Sequence, residues 1–219
     1  PKSCIIDPES GFSFPGNRIP ASRFSPQGLA IARLYPAPNV FDGTVQNHRA
    51  VGKLETEADA FGLRFDHRVT PADEAFLEYQ FNRDTTNDPF NLLGGITNLP
   101  SFGVHDALQT HTIRLNNTHV FSPAWIYQLR FSVGYLHQPR TILGNQQSVV
   151  PAILITSFSH LGHATNLPQQ RKNRSFELLN DVSWQHASSE TKVGGVVRYL
   201  PFHASLDLYS RGQYQFTGG

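Results

Sequence analysis

Large apolar residues recur at every second position along much of this chain. In WIYQLRFSVGYLH, residues 125–137, Trp125, Tyr127, Leu129, Phe131, Val133 and Tyr135 alternate with Gln128, Arg130, Ser132 and Gly134. A period of two predicts a β-strand with one face shielded from water. Similar runs come in pairs around short turn sequences. Within 57–84, Phe61, Leu63 and Phe65 precede VTPADE, and Ala75, Leu77, Tyr79 and Phe81 follow it. Within 109–136, QTHTIRLNNTHVF and WIYQLRFSVGYL flank SPA. Within 174–200, Phe176, Leu178, Val182 and Trp184 share one face before HASSE, and Val193, Val197 and Tyr199 share one after it. Three hairpins are predicted.

The connections between hairpins are of another kind. Segments 85–108, 138–173 and 201–213 read as long loops, the first two polar with scattered Gly, Pro, Asn and His. Loops of this length are uncommon in compact soluble domains. Short turns at one end and long loops at the other is the asymmetry of an outer-membrane barrel. Residues 1–56 are rich in turn formers. They predict one short helix from Pro26 to about Leu34, capped by Ser25 and stopped by Pro36 and Pro38.

The polar faces carry the charge. Arg64, Asp66, Arg68, Glu74, Glu78, Arg114, Arg130, Glu177, Asp181, Lys192 and Arg198 all have the parity opposite to the apolar row of their strand. On the apolar face, Phe121, Trp125 and Trp184 lie beside the short turns, and Phe81, Tyr135 and Tyr199 near the far ends. Aromatics at both ends of an apolar band match interfacial girdles. The expected lipid-facing set is therefore Phe61, Leu63, Phe65, Leu77, Tyr79, Phe81, Trp125, Tyr127, Leu129, Phe131, Val133, Tyr135, Trp184 and Tyr199. The expected lumen-facing set is Arg64, Asp66, Glu78, Arg114, Arg130, Glu177, Asp181, Lys192 and Arg198. His111, Asn117, His119 and Asn180 break the apolar pattern, and Phe76 breaks the polar one.

Composition narrows the classes. The 219 residues carry 18 basic and 17 acidic side chains, a net charge of +1 without the basic excess of a nucleic-acid binder. Charged residues are only 16%, while Phe, Tyr and Trp number 16, 7 and 2. A single cysteine, Cys4, excludes an intrachain disulfide and a cysteine zinc cluster. The longest wholly apolar run, 149–155, falls far short of the roughly 20 residues a spanning helix needs, but barrel strands cross with about 9–11. With no Met, a start at Pro1 and an end in Gly-Gly, the chain reads as a piece of a longer one.

No enzymatic chemistry emerges. His160 and His163 form HLGH without a third metal ligand at a fitting spacing, and read as a solvated loop. Gly94-Gly95 and Gly194-Gly195 lack the context of a phosphate cradle. Glu74 and Glu78 share a strand face, as glycosidase carboxylates do, but fit a polar lumen row better. Neither a cofactor nor a metal is expected.

Two segments resemble a known family. FPGNRIPASRFSPQGLAIARLYPAPN and FGLRFDHRVTPADEAFLEYQFNRD are similar to the barrel region of Oar-like TonB-dependent outer-membrane receptors. The matching residues are Phe14 to Asn17, Ile19 to Arg23, Ser25, Pro26, Tyr35, Pro36, Pro38, Asn39, Arg64, Asp66 and His67. HVFSPAWIYQLRFSVGY, the hairpin at 176–199 and GQYQFTGG resemble later parts of that barrel. The resemblance implies an all-β fold: part of an antiparallel up-and-down barrel of about 22 strands. It further implies uptake of a bulky solute driven by TonB, contacted through a plug that this sequence lacks. The six strands, with a seventh beginning near Tyr214, make only part of such a barrel. Outer-membrane lipid, TonB and an unidentified solute are the expected partners, in the bacterial outer membrane.

The alternatives are a soluble β-rich carbohydrate-binding or adhesion module and, behind it, a glycoside hydrolase. A soluble module would express as a folded domain without detergent, whereas a barrel fragment is expected to aggregate through its open edges. Phe131→Arg is expected to block membrane assembly of the full-length protein, since a cation at the midplane of a barrel costs about 2–4 kcal/mol. Heat-modifiable mobility of the membrane fraction reads this, and unaltered assembly would mean that Phe131 does not meet lipid.

Overall fold

The computed structural model describes residues 4–43, 47–91, 99–144 and 150–217. The Gly94-Gly95 pair lies outside them. The chain divides into two compact units, residues 1–50 and 51–219.

In the first unit, side chains do the work of a missing sheet. Helix α1, Pro26–Ala32, starts where the Ser25 hydroxyl accepts from Gly28 N–H. Arg23 reaches both Asp7 and Glu9 at 2.9 and 2.8 Å. Asp7 is held below the usual carboxylate range, chiefly by the Glu9 N–H. Asn39 clips Arg49 from both sides: its carbonyl accepts from Arg49 N–H and its amide donates to Arg49 O, each at 2.8 Å. Asn17, with a left-handed φ of 56°, accepts from Ile5 N–H at 2.5 Å.

The second unit is built on one antiparallel sheet. Its strands are β1 (Glu55–Thr70), β2 (Asp73–Asp88), β3 (Val104–Ser122), β4 (Trp125–Ile142), β6 (Gln169–His186), β7 (Ser189–Tyr199) and β8 (Phe202–Leu206). The order is β1-β2-β3-β4-β6-β7, with β8 also on β6, and the sheet is open. Strands β5 (Ala152–Ile155) and β9 (Gln213–Phe216) form a separate parallel pair.

Each short turn has a chemical cause. Pro71-Ala72 and Pro123-Ala124 set a proline at the first central position, where its fixed φ suits the turn. The hydroxyls of Thr70 and Ser122 accept from Ala72 N–H and Ala124 N–H, both at 3.2 Å. The third turn instead places Ala187 at a left-handed φ of 49°.

The strands are longer than the alternation predicts. Hairpins expected at 57–84, 109–136 and 174–200 extend at their open ends to Asp88, from Val104 to Ile142, and down to Gln169. Beyond Tyr135 the ladder continues, but His137 takes the apolar row's place while Leu136 and Ile142 stand on the other face, so the apolar row ends while pairing does not. The segment 201–213, expected as loop, contains β8. Pro201 interrupts β7 and leaves the upper edge of β6 open, where Phe202–Leu206 pairs with Gln169–Asn173. Tyr214 does not begin the next strand of the sheet; it lies in β9, beside Ile153.

The buried core sits at the loop end. Val104, Ile142, Ala164 and Leu167 pack together, and Leu99, Phe102, Ile153 and Leu161 are buried as well. Ile153 and Leu161 exchange backbone hydrogen bonds of 2.8 and 3.0 Å. The expectation of a solvated HLGH loop is thereby corrected. Leu161 and His163 are 1% and 6% exposed, and His163 stands edge-on to Phe102 at 5.3 Å. Gly162 makes the close approach possible: at φ +87° an added Cβ would lie 1.9 Å from Pro151 O.

Burial pushes the His163 imidazole below its ordinary value, and the Arg211 charge pushes in the same direction. The neutral ring is therefore the form the core accepts. Its stabilisation is full above the unfolded value of about 6.5 and falls away as pH drops through that value and the lower folded one. Hydrogen exchange at the Leu161 and Ile153 amides, corrected for intrinsic rates, is expected to lose protection over that window. His163→Leu should flatten the dependence; a flat profile in the unaltered protein would contradict it.

Candidate functional site

The register turns alternation along each strand into rows across the sheet. On the apolar face, Phe65, Leu77, Leu115, Phe131, Leu178 and Val197 align. One step toward the loops, Leu63, Tyr79, Ile113, Val133, Phe176 and Tyr199 align. A further step brings Phe61, Phe81, His111 and Tyr135 together. Toward the turns, Leu129 faces Asn117 and Asn180, and Tyr127 faces His119 and Val182. Trp125 and Trp184 stack at 5.4 Å beside the turns. Large side chains of this face stand open to the surroundings, with Phe65 65% and Val197 70% exposed.

The register also explains most of the pattern breakers. His111 belongs to the upper aromatic row: its ring lies 5.1 Å from Phe81 and its Nδ1 is 2.8 Å from the Tyr79 hydroxyl. His119 meets Asp73 at 2.5 Å, next to the turn. Phe76, on the polar face, lies under the Arg64 guanidinium at 3.9 Å, a cation–π contact. Nothing in the structure explains Asn180.

On the polar face, Arg64, Glu78, Arg114, Ser132, Glu177 and Arg198 fall in one row across six strands. Charge changes sign from strand to strand, with Ser132 as the neutral step. Arg114 donates to Glu78 at 2.7 Å, and Arg64 sits 4.0 Å from the same carboxylate. Arg64 also grips Asp66 at 2.7–3.1 Å. Glu177 pairs with Arg198. Two rows nearer the turns, Asp181 takes both Arg130 from the row above and Lys192 from the row below. Gly194 opens the space for it, since a Cβ there would lie 2.3 Å from Asp181 Oδ1. All nine side chains expected to face a lumen thus take part in ion pairs. Glu78 and Asp181, the shared anions, are the least exposed at 18% and 14%.

Above Tyr135 the polar face closes over. Arg140 lies 3.7 Å from Asp106 and donates to Asn91, and Val104 and Ile142 on this face carry the loop core. The loops thus pack on the polar side of the sheet. Sequence reading missed this core because its residues come from separate short apolar stretches without a shared period. Among the described residues, no three His, Cys, Asp or Glu side chains gather as metal ligands. The arrangement is a wall with one apolar and one charge-balanced side.

The residues that carry the resemblance divide between the two units. Asn17, Arg23, Ser25 and Asn39 make the clips of residues 1–50, and Arg64 and Asp66 form the ion pair that begins the polar row.

No curated protein matches the chain. The family model described as outer membrane beta barrel domain matches residues 1–219. This match does not favour the soluble module. Long antiparallel up-and-down strands and a match over the full length agree: the chain belongs to the outer membrane beta barrel domain family, and its place is the bacterial outer membrane.

Proposed function

We propose that this chain is barrel wall of a TonB-dependent receptor that carries a bulky solute across the outer membrane. In this reading the apolar face meets lipid, the polar face lines the lumen, and the long-loop end is extracellular. The observation that carries it is the paired charge row. A lumen that passes solute must stay wet and polar without holding loose charges that trap ions, and a row of opposed side chains meets both needs.

The dimensions support it. From Trp125 to Tyr135, β4 rises about 33 Å, which at a tilt near 40° spans about 25 Å, the height of a barrel's apolar band. Beyond Tyr135 the strand runs about 23 Å further. That extension, with the loop core on its inner side, suits a solute-capturing vestibule. The similarity of residues 14–39 to Oar-like receptors supports energised transport over passive diffusion, with TonB acting through a plug of the kind such receptors carry. The ligand-binding role is one of permeation, with no covalent step.

A strain lacking the full-length gene is expected to lose accumulation of its labelled solute, found by screening oligosaccharides and peptides above porin size. Disruption of TonB in the otherwise intact strain should cause the same loss. Undiminished uptake without TonB would reject the energised mechanism, while uptake of only small solutes would assign the barrel to passive permeation.

A further inference from the structure

We propose that the lipid-facing side of the barrel ends in a cationic patch that binds the phosphate groups of outer-leaflet lipid. The patch consists of Lys172 and Arg174 on β6, flanked by His137 on β4 and His203 on β8. The register sets Arg174 beside Tyr135, at the level of the upper aromatic row. Lys172 stands one step higher, between His137 and His203. All four have the parity of Phe176 and Leu178, so they continue the apolar face rather than the polar one.

Three observations separate these cations from an ordinary solvated rim. First, Lys172 and Arg174 are exposed, and among the described residues neither forms an ion pair. The expected lumen cations Arg64, Arg114, Arg130, Lys192 and Arg198 are all paired. Pairing is thus the rule for the expected lumen cations and absent in the patch; Arg171, on the polar face at the level of the patch, also forms no ion pair among the described residues. Second, carboxylates on this face above the aromatic row lie on β1, at Glu55, Glu57 and Asp59. Four strand spacings from β1 to β6 make about 19 Å, more than twice the Debye length of about 8 Å at physiological salt. The cations are therefore not neutralised from within the sheet. Arg83, on the same face, differs: its register partner is Asp59.

Third, the level fits. The aromatic row marks where hydrocarbon gives way to headgroups. A lysine or arginine at or just above it can lay its methylenes along the apolar band and lift its charge to the phosphate layer. Polar groups suited to a phosphate or sugar stand alongside: Gln170 Nε2 lies 2.8 Å from His137 Nε2, and Ser205 faces Gln170 across β8. Arginine and lysine together supply a fork and a point charge, the two donors that phosphate oxygens take.

The inference rests on the outer-membrane placement and the apolar face meeting lipid, not on energised uptake, so its failure would leave the TonB experiment untouched. The test uses the full-length protein in detergent, titrated with diphosphorylated lipid A, with the same lipid stripped of phosphate, and with inorganic phosphate. The phosphorylated lipid is expected to bind preferentially. The double variant Lys172→Gln/Arg174→Gln should weaken that binding about thirty-fold, five- to sixfold for each cation. Arg171→Gln, on the opposite face of the same strand, should leave it unchanged. If the double variant fails to fold, Lys172→Gln alone should lose about fivefold and Arg174→Lys should retain most of the affinity. Equal affinity for the two lipids, or equal loss in Arg171→Gln, would overturn the proposal. Displacement of the lipid by millimolar inorganic phosphate would reassign the patch to a soluble anion and overturn its lipid assignment.

Discussion

Backbone pairing between neighbouring strands is the constraint from which the rest of this structure follows. In hydrocarbon no water is available to an amide, and each unpaired N–H or C=O costs several kcal/mol. The strands must therefore pair continuously across the band, as they do in the order β1-β2-β3-β4-β6-β7. Continuous pairing fixes register, and register fixes which side chains share a row. A slip of one residue in any strand would carry its whole apolar set to the other face. It would also bring Arg114 out of line with Glu78, or Glu177 with Arg198. The apolar band and the charge row are two consequences of one set of hydrogen bonds.

The same strand serves two environments in succession. Up to Tyr135, β4 alternates between faces that differ in polarity; beyond it, His137, Gln138 and Arg140 are polar whichever way they point. Pairing needs only the backbone and continues through the change. Side-chain chemistry alone marks the boundary, and the patch of Lys172 and Arg174 lies where it changes. In the proposed placement water is present above that level and the backbone no longer needs the sheet, so irregular chain becomes possible. That is where the loops collapse onto Val104 and Ile142 and form a small soluble-like core.

How much of this was legible in the sequence follows from the range of each interaction. Within a hairpin, strands mirror about their turn, but TPAD and SPAW alone would set Arg64 opposite Tyr79 and Arg114 opposite Val133; an irregularity beside each turn, between Arg68 and Thr70 and between Val120 and Ser122, shifts the register by one and brings Arg64 to Glu78 and Arg114 to Ser132. The hairpins were legible and that shift was not, whereas helix α1 was legible because Ser25 and Pro26 act on their own neighbours. Register between hairpins, such as Glu78 with Arg114 or Ser132 with Glu177, is joined only through long loops and carries no local mark. The charge row could be seen strand by strand but not as a row. The strand ends and β8 were hidden because above the aromatic row the apolar set changes face, to Val104 and Ile142, and the period that marks each strand lower down does not continue. His163 was hidden because a histidine in an apolar loop core has no periodic partners to betray it.

The ion pairs of the polar face are better understood as shape than as adhesive. Exposed pairs contribute about 0–1 kcal/mol each, little beside the backbone ladder beneath them. Their effect is to hold long side chains down. Arg64 bends onto Asp66 and over Phe76, Arg114 reaches across to Glu78, and Arg130 and Lys192 converge on Asp181 in the space that Gly194 leaves. Four of these cations would otherwise project freely from the face. Tied to the wall, they leave the space in front of it open and nearly neutral. A barrel of many such walls can be wide enough for a bulky solute and polar enough to stay wet. Its expected lumen cations are paired, whereas at the rim Lys172 and Arg174 on the other face stand unpaired.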